Sequence, residues 1–408
     1  MATIIRGGTL IDTDPVRVLN ADVLIDDGRI TAVGADLRIP DGAEVLDATG
    51  MLVLPGFVDA HRHTWQSGIR MAGPDIAFPD YLDLVLGRFA PRYRPADVHI
   101  GTLAGALECL DAGITTVLDW SHIQHTPDHT AAAVDGIRAA GIRAVFGYCV
   151  RDPDLPAARA ALAATGGGLV TMAMAPYGPE IVDETTALAE WRIARELDLP
   201  VTVHAGGYGP DSAAKGLDFL RRNGLLGPST NYTHGNSYSD DQLKLIADSG
   251  GTLSVSPLVE AALGFGAPIT ARAVAAGVPT GLGADTVVSG PGDMFSLMRS
   301  AYGFARLESG FTTRDALRAA TVDGAKAAGV ADAGTLTPGS HADIVLLRND
   351  FPGHDPVATV VLTMDTRAVD TVLVGGRVVK RGGHLVVANP AAVRAELAES
   401  AARLVAAG

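Results

Sequence analysis

The chain is poor in cysteine, in aromatic residues and in positive charge. Two cysteines, Cys109 and Cys149, occur in 408 residues. That number excludes a disulfide framework and a thiolate metal cluster. Both stand in apolar surroundings and read as small core residues, in keeping with a reducing cytoplasm. The 32 basic against 46 acidic residues leave a net charge of −14. No Lys/Arg run or basic stripe occurs, which argues against a nucleic-acid partner, and the acidity is read as solubility. The stretch from Met1 to Leu10 lacks the basic start and apolar core of a signal peptide. No apolar run is long enough to cross a bilayer, so no membrane partner and a cytoplasmic location are expected.

What the chain does have is apolar mass. Hydrophobic residues make up 47% and charged residues 19%, with 48 glycines, enough for a large core in a compact α/β protein. Residues 2–54 alternate and turn often, with Asp27-Gly28 as a hairpin signal between apolar runs. The same texture returns at Ala342–Leu347 and Val369–Val379. Neither piece could bury a core alone, so both chain ends are expected to form one composite β-sandwich domain, 1–55 plus 334–389. Between them, at 56–333, short apolar runs alternate with Ala-rich helical stretches. The runs are 52–59, 113–120, 142–148, 169–175, 200–204, 230–234, 251–255 and 278–283. Helical stretches at 97–112, 130–140, 184–197, 239–249 and 269–276 lie among them. Eight strand-helix units over roughly 250 residues predict a (β/α)8 TIM-like barrel. An open doubly wound sheet is the alternative, but no Gly-rich phosphate fingerprint follows a strand. The segment 64–93 reads as a long irregular loop. The tail 390–408 reads as an amphipathic helix carrying Val393, Leu397 and Leu404, for packing or an oligomer contact.

The residues at strand C-termini carry the chemistry. The first run leads into His61-Arg62-His63, the fifth ends at His204, the sixth at His234, and Asp285 follows the eighth. In a strand, His61 and His63 share one face. All five side chains would converge on one barrel mouth. Imidazoles and a carboxylate suit a borderline divalent ion such as zinc, with an open position for water. His99, His129, His341, His354 and His384 fall on helices or on the β domain and are read as ordinary.

This order of ligands resembles the amidohydrolase superfamily. So do the flanks Leu54-Pro55-Gly56-Phe57-Val58-Asp59-Ala60-His61 and Gly334-Thr335-Leu336-Thr337-Pro338-Gly339-Ser340-His341-Ala342-Asp343-Ile344-Val345. The stretches Ser239-Asp240-Asp241-Gln242-Leu243 and Gly292-Asp293-Met294-Phe295 are similar to the cytosine-deaminase and triazine-hydrolase branch. The resemblance implies that His61, His63, His204 and Asp285 hold the metal. It implies that Asp285 takes a proton from the activated water and that His234 steadies that water or the substituent of the attacked carbon. Two-metal members use a modified lysine at the end of the fourth strand. The stretch Val170 to Tyr177 has none, so one divalent ion per chain is expected, zinc first and iron second. A homodimer or higher homo-oligomer is the expectation by analogy with the fold.

One departure bears on the reaction. Relatives of this branch carry a glutamate three residues after the fifth-strand histidine, as the acid-base group for the leaving group. Here the stretch is His204-Ala205-Gly206-Gly207. A metal can still lower the pKa of bound water to about 7, and Asp285 can still act as base. Glu180, Glu260, His122 and His125 are the candidates to replace the missing acid. Trp65, Gln66, Trp120 and Tyr177, just past strand ends, are candidates for an aromatic substrate wall. The reading is a metal-dependent hydrolase that uses activated water on a small nitrogen-heterocyclic substrate and releases ammonia or an amine. The alternatives are the same site acting on a carbon-chlorine, amide or ester bond or as a lyase, and a non-catalytic small-molecule binding protein.

Overall fold

The computed structural model describes every residue except Met1, Arg151, Pro153, Glu308, Ser309, Ala407 and Gly408. Eight parallel strands stand side by side in sequence order: Phe57–Arg62, Ile114–Ser121, Arg143–Tyr148, Val170–Met174, Val201–Ala205, Thr230–His234, Thr252–Val255 and Thr280–Leu282. The barrel closes at the mouth. Asp285 N–H donates to the His61 carbonyl at 2.8 Å and His63 N–H donates to the Asp285 carbonyl at 2.8 Å. Every residue of the first two barrel strands is buried, as a parallel sheet covered by helices requires.

The helices after the sixth and eighth barrel strands begin at side-chain caps. Ser239 accepts from Gln242 N–H and the Gln242 side chain accepts from Ser239 N–H, a capping box that starts Asp240–Asp248. Asp293 caps Met294–Ala305 through Ser296 N–H at 2.9 Å. These motif residues therefore fix where the chain turns after His234 and Asp285.

The chain ends build two further sheets. One has four strands from residues 3–47. The other has seven, four from the C-terminal end side by side with three from the N-terminal end, joined where Ile344–Arg348 runs antiparallel to Met51–Pro55. Ile5, Val23, Leu46, Leu10, Val53, Ile344 and Leu373 share one buried core across both.

Two expectations are corrected. The apolar run 52–59 is two strands: Met51–Pro55 belongs to the end sheet, Phe57–Arg62 to the barrel, and Gly56 lies between them. A Cβ on Gly56 would lie 2.1 Å from Thr115 Oγ1, so only glycine passes this crossing. The segment 64–93 is mostly helical, with turns at Thr64–Ile69, Phe78–Tyr81, Leu82–Phe89 and Ala90–Arg92. Its apolar side chains Trp65, Tyr81, Val85 and Phe89 are buried, and that burial outweighs the prolines. The tail helix Pro390–Ala406 packs within the chain. Leu404 is buried and Ser400 Oγ donates to Asp97 Oδ1 at 2.7 Å, while residues 407 and 408 lie outside the described residues.

Candidate metal centre

His61, His63, His204, His234 and Asp285 meet at the mouth. His63 Nε2 lies 3.2 Å and His61 Nε2 3.4 Å from Asp285 Oδ1. His204 Nε2 lies 3.3 Å from His61 Nε2, and His234 Nε2 lies 4.0 Å from Asp285 Oδ2. The backbone is bent to achieve this. His234 has φ 82 and Asp285 has φ 55, left-handed conformations that a non-glycine residue keeps only when its surroundings enforce them.

Each imidazole has its free nitrogen directed inward. His63 Nδ1 donates to the Trp120 carbonyl at 2.6 Å, and His234 Nδ1 donates to Glu260 Oε1 at 3.2 Å. His61 Nδ1 is buried without a hydrogen-bond partner among the described residues, which leaves Nε2 as its engaged nitrogen. Burial pushes His61 down to about 4, against the pull of Asp285. Burial and the neighbouring imidazoles hold His204 well below the usual range. Burial also opposes charge on His234, but the Glu260 bond and the Asp285 charge outweigh it and the net shift is upward. Asp285 is held well below the usual carboxylate range; burial opposes this and the His61 and His63 bonds override it. Imidazoles around an ionised carboxylate form two overlapping triads, His61 with His204 and His234 and His61 with His63 and Asp285, with ligand atoms within 4.8 Å of one another in each, a donor set that fits a divalent ion. The fourth barrel strand ends at Met174 and adds no ligand.

The other candidate residues separate into groups. Glu260 is fully buried behind His234; it also accepts Ser256 N–H at 2.7 Å and Asn236 Nδ2 at 3.3 Å. Glu180 accepts Gly206 N–H at 2.8 Å, and burial pushes its carboxyl up to about 7. It therefore braces the loop after the fifth strand. His122 stacks on His63 with ring centroids 4.4 Å apart, and its Nδ1 accepts Trp65 Nε1 at 3.2 Å. His122, His125 and Tyr177 line a cavity of about 670 Å³ beside the centre, and His125 Nε2 meets the Ala90 carbonyl at 3.1 Å. Trp65 and Trp120 do not form a flat wall. Trp65 stands edge-on to Tyr93, and Trp120 stands edge-on to His63 and His122 with its Nε1 on the Thr202 carbonyl. Gln66 donates to Tyr81 Oη at 2.8 Å and accepts from Thr286, which ties the first loop to the residue after Asp285.

Sequence reasoning missed Phe78, Tyr208 and Phe265. They come from the loops after the first, fifth and seventh barrel strands. Phe78 lies 4.6 Å from Phe265 and 5.8 Å from Tyr208, and Phe265 lies 5.0 Å from His234. The available signal was position: Tyr208 follows Gly207 directly, and Phe265 stands alone between Gly264 and Gly266.

Known proteins share this architecture. The chain is 29% identical over 390 residues to the 5'-deoxyadenosine deaminase of Methanothermobacter thermautotrophicus, covering 88% of each. It is 28% identical over 375 residues to the 8-oxoguanine deaminase of Pseudomonas aeruginosa, covering 82% of this chain and 83% of the relative. Its fold matches a zinc-bound adenosine deaminase from Xanthomonas campestris with TM-score 0.90 at 24% identity, over 99% of this chain and 98% of that one. It also matches the zinc-complexed atrazine chlorohydrolase of Arthrobacter aurescens with TM-score 0.87 at 23% identity, over 98% of this chain and all of the other. The model of the amidohydrolase family matches residues 52–379, and with its barrel, its composite sheets and its inward-facing histidines the chain belongs to that family.

Proposed function

We propose that this amidohydrolase-family enzyme binds one divalent ion, zinc first, and hydrolyses a carbon-nitrogen bond on a small nitrogen heterocycle, releasing ammonia or an amine. The observation that carries this reading is the set of inward nitrogens fixed from behind: His63 by the Trp120 carbonyl and His234 by Glu260. A metal ion held by His61, His63, His204 and Asp285 supplies Lewis-acid activation of water at neutral pH. Asp285 is the base. Its Oδ2 faces His234 Nε2, so a proton taken from the attacking water can be passed to the leaving nitrogen across that gap. His234, with Nδ1 committed to Glu260, presents Nε2 to the attacked carbon or its substituent. The balance is one water consumed: a carbon-oxygen bond forms, the carbon-nitrogen bond breaks, and the water's proton leaves on the amine. The names of the relatives, which are deaminases of purine compounds, support the substrate class.

The test is turnover by zinc-loaded protein on a panel of amino-substituted purines, pyrimidines and triazines, read as ammonia or amine release. Asp285→Asn should lower turnover by roughly 10²–10⁴-fold while the melting temperature of the metal-free variant stays near that of metal-free wild type. Equal turnover by Asp285→Asn would remove the assigned base, and no turnover by the wild-type protein across the panel would sink the hydrolase reading.

A further inference from the structure

The imidazoles at the mouth form a series of ring contacts with two different ends. His63 lies 5.7 Å from His204, and His204 is stacked 5.4 Å from His234. His122, stacked 4.4 Å from His63, adds a further ring at the other end of the series from His234. Its tautomer is fixed by hydrogen bonding alone. An indole N–H can only donate, and Trp65 Nε1 donates to His122 Nδ1 at 3.2 Å. Nδ1 therefore carries no proton, and the proton of the ring sits on Nε2. Trp65 is itself held in place. It is fully buried, its ring stands edge-on to Tyr93 at 4.9 Å, and its carbonyl accepts Tyr93 Oη at 3.2 Å. His122 Nε2 meets no acceptor among the described residues and is not enclosed by protein atoms. The ring borders the cavity of about 670 Å³, a volume within the roughly 300–1,000 Å³ of small-molecule sites. The helix Leu155–Thr165 gives that cavity a wall of alanine, at Ala157, Ala160, Ala161 and Ala164.

We infer that His122 is a substrate-contacting residue that sets specificity: its Nε2–H donates to an unprotonated ring nitrogen of the heterocycle, one not bonded to the carbon under attack. The inference rests on the hydrolase reading and narrows its substrate class. With the attacked carbon or its substituent at His234, the rest of the ring extends along the imidazoles toward His63 and the cavity. His122 meets it there with a donor that Trp65 holds in one tautomer. A neutral imidazole in that position polarises the heterocycle without giving up its proton. It therefore does not take over the part of the glutamate absent at Gly207. A substrate that offers a C–H or an N–H to this donor leaves it unpaired, because the bond to Trp65 denies Nε2 an accepting lone pair. The site thus selects heterocycles by an acceptor remote from the reacting carbon.

The test uses the zinc-loaded full chain with adenosine and its 3-deaza and 7-deaza analogues, and with guanine and its 7-deaza analogue. Each analogue replaces one ring nitrogen by C–H. In wild type, one analogue of the accepted parent should lose about 10–100-fold in kcat/KM, the worth of a hydrogen bond whose donor is left unpaired. His122→Phe keeps an aromatic ring against His63. It should lower kcat/KM on the parent by about the same factor and leave that analogue nearly unchanged, whereas His122→Gln, which keeps a donor, should recover part of the loss. Nitrogen-15 spectra, with His122 assigned from the glutamine variant, read the tautomer without substrate. Nδ1 should resonate as an unprotonated nitrogen, and Trp65→Phe should admit the Nδ1–H tautomer. The spectra and the wild-type comparison stand if the phenylalanine variant does not fold. Calorimetric binding of the same compounds reads the contact without turnover. A protonated Nδ1 in wild type overturns the inference. Turnover lowered equally on parent and analogues by His122→Phe also overturns it and leaves the hydrolase reading standing. Binding that discriminates parent from analogue through His122 while nothing turns over supports the contact and overturns the hydrolase reading. Neither binding nor turnover of either parent overturns both.

Discussion

Glu180 and Glu190 sit behind the loops that frame the centre and act on them through backbone donors. Glu190 accepts Tyr177 N–H at 2.9 Å and Gly178 N–H at 3.1 Å, as Glu180 accepts Gly206 N–H. Burial pushes each up to about 7, and the backbone bonds only partly oppose it. In the unfolded chain a glutamate titrates near 4.3, so between these values the folded protein holds more protons than the unfolded one. Stability contributed by these groups is therefore greatest at low pH and falls as pH rises from about 4.5 to about 7. Glu180→Gln combined with Glu190→Gln should flatten that fall, read as the change in denaturant midpoint between about pH 5 and about pH 8 relative to wild type. An unchanged slope would mean that neither carboxyl is protonated in the folded state. At this scale the sequence exposed the five residues of the constellation, because each stands at the end of an apolar run whose period is readable. It did not expose their geometry. The left-handed φ of His234 and Asp285, and the fixing of His63 by a backbone carbonyl, depend on neighbours far away in the chain.

Between elements, the joint of barrel and end sheets rests on a buried ion pair. Arg143 Nε donates to Asp343 Oδ2 at 2.6 Å and Arg143 Nη2 to Oδ1 at 3.2 Å, while Gly375 N–H donates to the same Oδ1 at 2.7 Å. Arg143 opens the third barrel strand, and Asp343 precedes the strand that pairs with Met51–Pro55. Asp343→Ala would strand a buried guanidinium and a backbone donor, so it should cost on the order of 3–5 kcal/mol. Urea unfolding checks this, and a loss below about 1 kcal/mol would show that the joint is held by apolar packing instead. The motif Ala342-Asp343-Ile344-Val345 was legible as a strand, but its aspartate's partner, 200 residues away, was not. The split of 52–59 at Gly56 was equally hidden: two strands with one glycine between them have the same apolar pattern as one long strand. The helical character of 64–93 was masked because prolines and aromatics read as loop when the surface that buries them is not yet known.

Across the whole molecule, the centre draws on strands from opposite sides of the barrel. His61 and His63 come with the first strand, His204 with the fifth, and Asp285 follows the eighth, where the backbone bonds to His61 and His63 close the ring. Four of the five side chains are buried, the exception being half-buried His204, and burial holds His61 and His204 below the usual imidazole range while the net shift of His234 is upward. In the proposed centre an ion would tie the first strand to the fifth and the last in the folded state, and the unfolded chain has no such preformed set of ligands. Linkage then fixes the size of the effect. Zinc at 100 times its dissociation constant should raise stability by about 2.7 kcal/mol. The rise should be seen as an increase in melting temperature that a chelator reverses together with activity. His61→Ala would remove a proposed ligand after the first strand and leave Asp285 and His204 unaltered, so in that variant the zinc-dependent increment should vanish while the baseline melt remains cooperative. An equal zinc increment in wild type and His61→Ala would place the ion elsewhere on the surface and undo the assignment of the centre.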